Sequence, residues 1–152
     1  MNTWTQTAFT EAMGIALPIV QGPFGGGLSS VALTAAVSEH GGLGSFGAHH
    51  LTGDDIIATA NAIRERTAKP FALNLWLPFD NSDAPHISAE HQQALMRAVE
   101  PYFAELKQPV PVFPARFSPD FDEQMEAVLE ARPAVFSFVY GVPSAAIIER
   151  CK

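Results

Sequence analysis

The sequence predicts an α/β fold built on a parallel sheet. Short apolar runs of strand length alternate with longer segments in which apolar residues recur at helical spacing. The run at residues 71–77, FALNLWL, is almost continuously apolar, as in parallel strands buried on both faces. Four β-then-α units follow one another in this way, and such alternation favours parallel pairing with right-handed crossovers.

The first unit follows a short lead-in. Residues 1–16 are predicted to be irregular or a short helix. The first strand is predicted at residues 18–21, where a short apolar run ends in glutamine and glycine. A helix with a small-residue apolar face is predicted over residues 30–40, and either Ser29 or Ser30 can supply its N-cap.

The second unit continues directly from the first. A strand is predicted at residues 42–46 and a helix at residues 53–67, with Thr52 as its N-cap. The strand at residues 71–77 comes next and ends at Pro78. The chain therefore places three predicted strands within its first half.

The third helix and its flanks contain many turn residues. Residues 79–87 form a polar excursion, and a long helix is predicted over residues 88–106. Because Pro101 interrupts the apolar pattern of that helix, a kink or break is expected near Val99. Residues 107–117 are predicted to be a connector, since three prolines exclude a central strand.

The fourth unit closes the chain. Ser118 is predicted to be an N-cap with Pro119 at the first helical position, and this helix ends at Arg132. The fourth strand is predicted at residues 134–140, and a last helix over residues 142–152. No internal sequence repeat accompanies these four units.

Composition limits the class of protein. The chain has 152 residues, 47% of them hydrophobic and 16% charged, which fits one globular domain with a large core. A net charge of −7 gives no basic footprint for nucleic acid. No apolar run is long enough to span a membrane, and the first ten residues lack signal-peptide features. With one cysteine, Cys151, a reducing, cytoplasmic location is expected.

Two linked motifs stand out near the N-terminus. The first is LPIVQGPFGGG, in which an apolar run leads into three consecutive glycines, Gly25, Gly26 and Gly27. The second is AAVSEHGGLG at residues 35–44. Together they resemble the N-terminal signature of the nitronate monooxygenase family, formerly called 2-nitropropane dioxygenases. The resemblance implies an enzyme that uses flavin mononucleotide (FMN) on a (β/α)8 barrel.

The length of the chain limits what part of such a barrel it can form. A complete barrel needs about 250 residues. We therefore expect residues 1–152 to form the first half of a flavin-binding barrel, with about four strands, no closure and no separate second domain.

A candidate binding site follows from the predicted sheet, because ligands of parallel α/β folds bind beyond the carboxyl ends of the strands. Asn74 lies inside an apolar strand, and its buried amide must be hydrogen-bonded, either to nearby backbone or to a ligand. The resemblance favours a flavin contact for Asn74. It also implies that Gln21, Gly22, Pro23 and Phe24 pass beside the isoalloxazine ring, although the family usually has alanine and methionine in place of Gly22 and Phe24.

Other candidate residues are less informative. His49 and His50 follow the second strand, but adjacent histidines point apart and no third ligand has a suitable spacing, so no metal is predicted and a surface loop is favoured. Many family members have histidine or threonine where Val139 stands, and Tyr140 fits either the core or the mouth of the site. The resemblance places the family's catalytic histidine and phosphate-binding loops beyond residue 152.

The resemblance implies FMN-dependent oxidation of alkyl nitronates by O2, with this chain supplying part of the flavin cradle and being inactive alone. The expected partners are a small-molecule substrate and O2, with no nucleic acid and no membrane. Two alternatives remain open. One is an enoyl-thioester reductase that uses NAD(P)H on a similar flavin barrel. The other is a non-catalytic truncated product that self-associates through its unclosed sheet edges.

Overall fold

The computed structural model describes residues 4–78, 87–113 and 118–152. The three strands in these residues form one parallel sheet in sequence order: β1 (Gly44–Gly47), β2 (Phe71–Trp76) and β3 (Val135–Val139). The helices are α1 (Ala8–Met13), α2 (Val31–Glu39), α3 (Gly53–Arg64), α4 (Ala89–Glu105), α5 (Phe121–Ala131) and α6 (Ala145–Arg150). The sheet does not close, and the predicted α/β class with parallel order is confirmed.

The predicted first strand is reduced to a single bridge. Val20 pairs with Leu43 in parallel, outside the named strands. Pro18 has no N–H to donate, and beyond Val20 the side chain of Gln21 replaces further backbone pairing, because its Nε2 donates to Ser45 O at 3.0 Å. The prediction of a strand at residues 18–21 is therefore correct in place and direction but too long.

The helix starts show which caps the sequence identifies correctly. Ser30, one of the two candidates, and Thr52 each accept a backbone N–H in the first turn of α2 and α3, as predicted. Ser88 does the same for α4, at the residue where that helix was predicted to start. The prediction for α5 is wrong. Its N-cap is Asp120 rather than Ser118, and Asp120 Oδ1 accepts from two backbone N–H groups, at 3.0 and 3.2 Å. A carboxylate also suits the positive end of the helix dipole.

The chain divides into two compact units, residues 1–78 with 118–152, and residues 79–117. The second unit contains α4, which continues through Pro101 without the predicted break. No residue of α4 is buried, so water can solvate the carbonyl that proline leaves without a donor. The described part of the connector, residues 107–113, has no strand. Residues 79–86 and 114–117, which belong to the predicted excursion and connector, lie outside the described residues.

The core of the first unit lies between one face of the sheet and two helices. The odd-numbered residues of β2 are buried together with apolar side chains of α3 and α5: Phe71, Leu73, Leu75, Ile56, Ala60, Ile63, Met125 and Val128. Since side chains alternate along a strand, the even-numbered residues of β2 lie on the opposite face, here called the inner face. None of the described helices has the length and apolar character that crossing a bilayer requires.

Candidate functional site

The inner face brings polar and aromatic residues of three strands to the carboxyl ends of the sheet. The register aligns Gly47 of β1 with Asn74 of β2, and Asn74 with Ser137 of β3. His49, Trp76 and Val139 lie two residues after these three aligned positions, in the direction of the carboxyl ends of the strands. We call the region formed by residues 21–27, His49, Trp76 and Tyr140 the carboxyl edge.

Asn74 is buried, with 2% of its surface exposed, as the sequence predicts. Its Nδ2 donates to Ser137 Oγ at 2.9 Å, so its partner within the chain is a side chain on the neighbouring strand rather than nearby backbone. Its backbone carbonyl accepts from Ala48 N at 2.9 Å. These contacts fix the Asn74 amide in the centre of the inner face.

Gln21 uses its side-chain amide inside the protein. Nε2 donates to Ser45 O at 3.0 Å and lies 3.2 Å from Ser29 Oγ, and Oε1 accepts from Ser45 N at 3.4 Å. The amide thus copies the hydrogen bonds of a strand residue. It fixes the start of the glycine-rich loop against β1.

Ser29 organises the loop that follows. It is buried, its Oγ accepts from Phe24 N at 2.7 Å, and the same hydroxyl donates to Gly22 O at 3.3 Å. Phe24 is 64% exposed, and its ring lies over Gly22, where an added Cβ would approach Phe24 Cε2 to 3.0 Å. Pro23, between them, is partly exposed. The loop therefore presents an aromatic side chain outward.

The glycines of this region have different roles. A Cβ on Gly25 would come within 2.1 Å of His49 Cε1, and one on Gly47 within 2.8 Å of the backbone of Phe24 and Gly25. These two glycines permit close packing inside the chain. Gly26 and Gly27 have φ of +67° and +87° with no atom near the added Cβ, so only these two leave bare backbone open.

The sequence prediction missed a row of rings along the carboxyl edge. The His49 and Trp76 rings are stacked, with centroids 3.7 Å apart and 3° between planes, and Tyr140 meets Trp76 edge-on at 5.2 Å. His49 and His50 lie in a turn, as the surface-loop interpretation has it, but His49 is half-buried whereas His50 is exposed. Residues 45, 47 and 49 are spaced two apart, as side chains on one face of a strand are. This spacing could have predicted that His49 lies on the inner face.

The environment of His49 favours a neutral imidazole. Burial lowers its pKa below the ordinary value of 6.5, and the charge of His50 lowers it further. Nδ1 is buried and has no hydrogen-bond partner among the described residues. Among all the residues that the structure describes, no three His, Cys, Asp or Glu side chains are grouped to hold a metal ion.

Comparison with known proteins supplies the family. The family model described as nitronate monooxygenase matches residues 6–152. The chain belongs to the nitronate monooxygenase family. The resemblance inferred from the two N-terminal motifs is thereby confirmed.

The curated nitronate monooxygenases that the chain matches are longer than the chain itself. A nitronate monooxygenase of Paraburkholderia phytofirmans is 36% identical over 148 residues, 95% of this chain and 39% of the relative. A probable nitronate monooxygenase of Staphylococcus haemolyticus is 30% identical over 98% of the chain and 40% of the relative. The chain thus spans about 40% of the length of these curated relatives.

Solved structures agree with the family assignment. A nitroalkane oxidase from Streptomyces ansochromogenes matches with a TM-score of 0.74 and 28% identity, covering 95% of this chain and 39% of that one. FabK from Thermotoga maritima matches with a TM-score of 0.63 and 22% identity, over 96% of this chain and 35% of that one, which shows the fold alone.

Proposed function

We propose that this chain supplies part of the FMN cradle of an enzyme that oxidises alkyl nitronates with O2. The observation that carries the proposal is proximity: Asn74 pairs with Gly47, and an added Cβ on Gly47 would lie 2.8 Å from the backbone of Phe24. Family membership and the likeness to a nitroalkane oxidase support the same reaction class. The substrate would be a small molecule, and a cytoplasmic location stays a prediction.

The carboxyl edge has the surface that a flat ring system requires. Phe24, Trp76 and Tyr140 are 64%, 44% and 52% exposed. Trp76 ends β2, Tyr140 follows β3, and Phe24 lies in the loop after the Val20 bridge. Gly26 and Gly27, in the same loop as Phe24, leave bare backbone open. Exposed aromatic side chains next to open backbone fit an aromatic ligand better than a strongly hydrated one.

The chain's own residues would bind and orient the cofactor. Backbone of Gly22, Pro23 and Phe24 would line one side of the ring, held in shape by Ser29. Gln21 would act through its bonds to β1, and Asn74 through an amide that Ser137 already orients. When bound, FMN supplies the electron transfer and the reaction with O2.

We infer that the 152-residue chain alone binds FMN weakly or not at all and has no activity. The resemblance places the catalytic histidine and the phosphate-binding loops beyond residue 152. A suitable test protein is this chain followed by the part of the Paraburkholderia phytofirmans relative that lies beyond the match. We call this fusion the joined protein.

The experiment measures bound FMN and nitronate-dependent O2 consumption in the joined protein and in the 152-residue chain. The proposal expects stoichiometric FMN and turnover in the first and neither in the second. A folded joined protein without FMN would contradict it. NAD(P)H oxidation with an enoyl thioester, in place of nitronate turnover, would favour the reductase alternative.

A further inference from the structure

Gln124 is a buried polar residue of α5 whose side-chain amide donates to backbone carbonyls of the turn after β1. It is 3% exposed. Its Nε2 lies 2.7 Å from Leu51 O, 3.0 Å from His49 O and 3.5 Å from Ala48 O. A side-chain amide has two N–H donors, so the two shorter contacts account for both of them. Burial of this amide is favourable because those carbonyls receive its protons.

The turn that Gln124 contacts is fixed at its other points by the backbone. Leu51 N donates to Ala48 O at 2.9 Å, which closes a turn with His49 and His50 in the middle. Ala48 N donates to Asn74 O at 2.9 Å, which joins the turn to β2. Gln124 therefore joins this turn to α5 by hydrogen bonds.

The imidazole of His49 depends on that turn for its position. The Cε1 edge of the ring lies against Gly25, and its face stacks on the Trp76 indole. Its Nδ1 makes no hydrogen bond within the described part of the chain. Stacking and the backbone direction at residue 49 are therefore what orient the ring.

We propose that Gln124 is a positioning residue that holds the turn at residues 48–51 so that His49 stays stacked on Trp76 at the carboxyl edge. Its relevance to catalysis rests on the proposed function, in which this edge receives FMN. Gln124 itself lies on the helix side of the sheet. It acts on the ligand site through the turn.

The direct test is NMR of the 152-residue chain, at concentrations below those at which it self-associates. Stacking on an indole at 3.7 Å places the His49 ring protons in its shielding region, so their resonances should lie upfield. Gln124→Met keeps the side-chain length but removes both donors, and we expect the His49 resonances to move to ordinary positions. The matched control is Gln92→Met, which removes an amide that donates to Ile87 O at 3.1 Å in the other compact unit.

Two results would overturn the proposal. One is an unchanged upfield position of the His49 resonances in Gln124→Met, which would leave Gln124 with a structural role alone. If that variant does not fold, the wild-type chain decides. Nuclear Overhauser contacts from the Gln124 side-chain amide to residues 49–51 support the proposal, and their absence contradicts it.

The joined protein tests the consequence for the ligand. Gln124→Met is expected to raise the KM for nitronate and the Kd for FMN several-fold, with kcat per bound flavin little changed, because the wall of the site moves while the reacting groups remain. Equal KM and Kd in both proteins would contradict this consequence. A wild-type joined protein that binds no FMN would refute the proposed function instead, and the His49 resonances would still decide the role of Gln124.

Discussion

Gly25 and the His49 ring pack so closely that a side chain at residue 25 would clash with the ring. The Cβ of an alanine at residue 25 would lie 2.1 Å from His49 Cε1, although the backbone conformation of Gly25 does not itself demand glycine. The ring would have to turn away and lose its stacking on Trp76. This pair links the glycine-rich loop to the ring row of the carboxyl edge.

We expect Gly25→Ala to cost about 1–3 kcal/mol of folding free energy, the usual range for overpacking. In a His49→Ala background the clash is gone, and the same substitution should cost no more than about 0.5 kcal/mol. Urea unfolding of the four proteins in this double-mutant cycle measures both values. Equal costs in the two backgrounds would show that His49 does not occupy the space beside Gly25.

The titration of His49 is a second prediction at this scale. Its pKa should lie below 6.5, because burial and His50 both disfavour the imidazolium. His50→Gln removes one of these causes, so the pKa should rise but remain below 6.5. The pH dependence of the His49 Cε1–H resonance measures it. A pKa at or above 6.5 in the wild-type chain would contradict the described burial.

The sign of the linked effect on stability follows from the lowered pKa. Above 6.5 the histidine is neutral in both folded and unfolded chains, and its contribution to stability is fully present. Below 6.5 the unfolded chain binds the proton first, so stability falls as the pH drops towards the folded-state pKa. His49→Gln should flatten this part of the pH profile.

The sequence predicted that the Asn74 side chain is buried, but it did not predict the residues that Asn74 and His49 contact. An amide inside an apolar strand has to be buried, and Asn74 is. Its partner Ser137 is 63 positions away, and the pairing depends on the register of β2 with β3. The stacking of His49 on Trp76 depends equally on register, so no local pattern could establish it.

At the level of elements, the close approach of α2 to β1 depends on Gly44. A Cβ there would lie 2.0 Å from Thr34 O and 2.7 Å from Ser38 Oγ. The nearest of these atoms is helix backbone, which cannot rotate away as a side chain can. The helix and the strand therefore require glycine at this contact.

We expect Gly44→Ala to destabilise the chain by about 3 kcal/mol or more, at the upper end of overpacking costs. The matched control is Gly53→Ala at the start of α3, where the nearest atom is Glu123 Cγ at 3.2 Å and can move. That control should change stability by no more than about 1 kcal/mol. Urea midpoints compare the two variants, and equal losses would contradict the packing described for α2 on β1.

The elements themselves were largely predictable, because hydrophobic periodicity and capping residues are local signals. Ser30 and Thr52 cap as expected, and α4 begins directly after Ser88, where its start was predicted. The failures are places where two local signals compete. Asp120 replaces Ser118 as a cap because its carboxylate accepts two N–H groups, and Gln21 replaces backbone pairing in the first strand.

At the scale of the whole molecule, β3 is an edge of the sheet that the described residues form. In the order β1-β2-β3, β3 pairs with β2 on one side, and nearby Val139, Tyr140 and Val142 are 40%, 52% and 78% exposed. An unpaired edge beside apolar side chains favours pairing with another chain. This observation supports the alternative in which the 152-residue chain self-associates.

We predict that the isolated chain dimerises or aggregates and that Val139→Lys on the edge strand reduces association. Leu28→Lys is the control, since it removes a residue that is 73% exposed in a loop without changing a strand. Sedimentation velocity over a concentration series measures the effect. A stable wild-type monomer, or equal effects of the two lysines, would contradict association through β3.

In the proposed function, residues 21–24 and Asn74 together receive a flavin ring at the carboxyl edge. A crystal structure of the joined protein grown with FMN tests it most directly. We predict isoalloxazine density in contact with the backbone of residues 22–24 and within hydrogen-bonding distance of the Asn74 amide. A ring bound elsewhere, with this edge filled by side chains of the added segment, would contradict the claim.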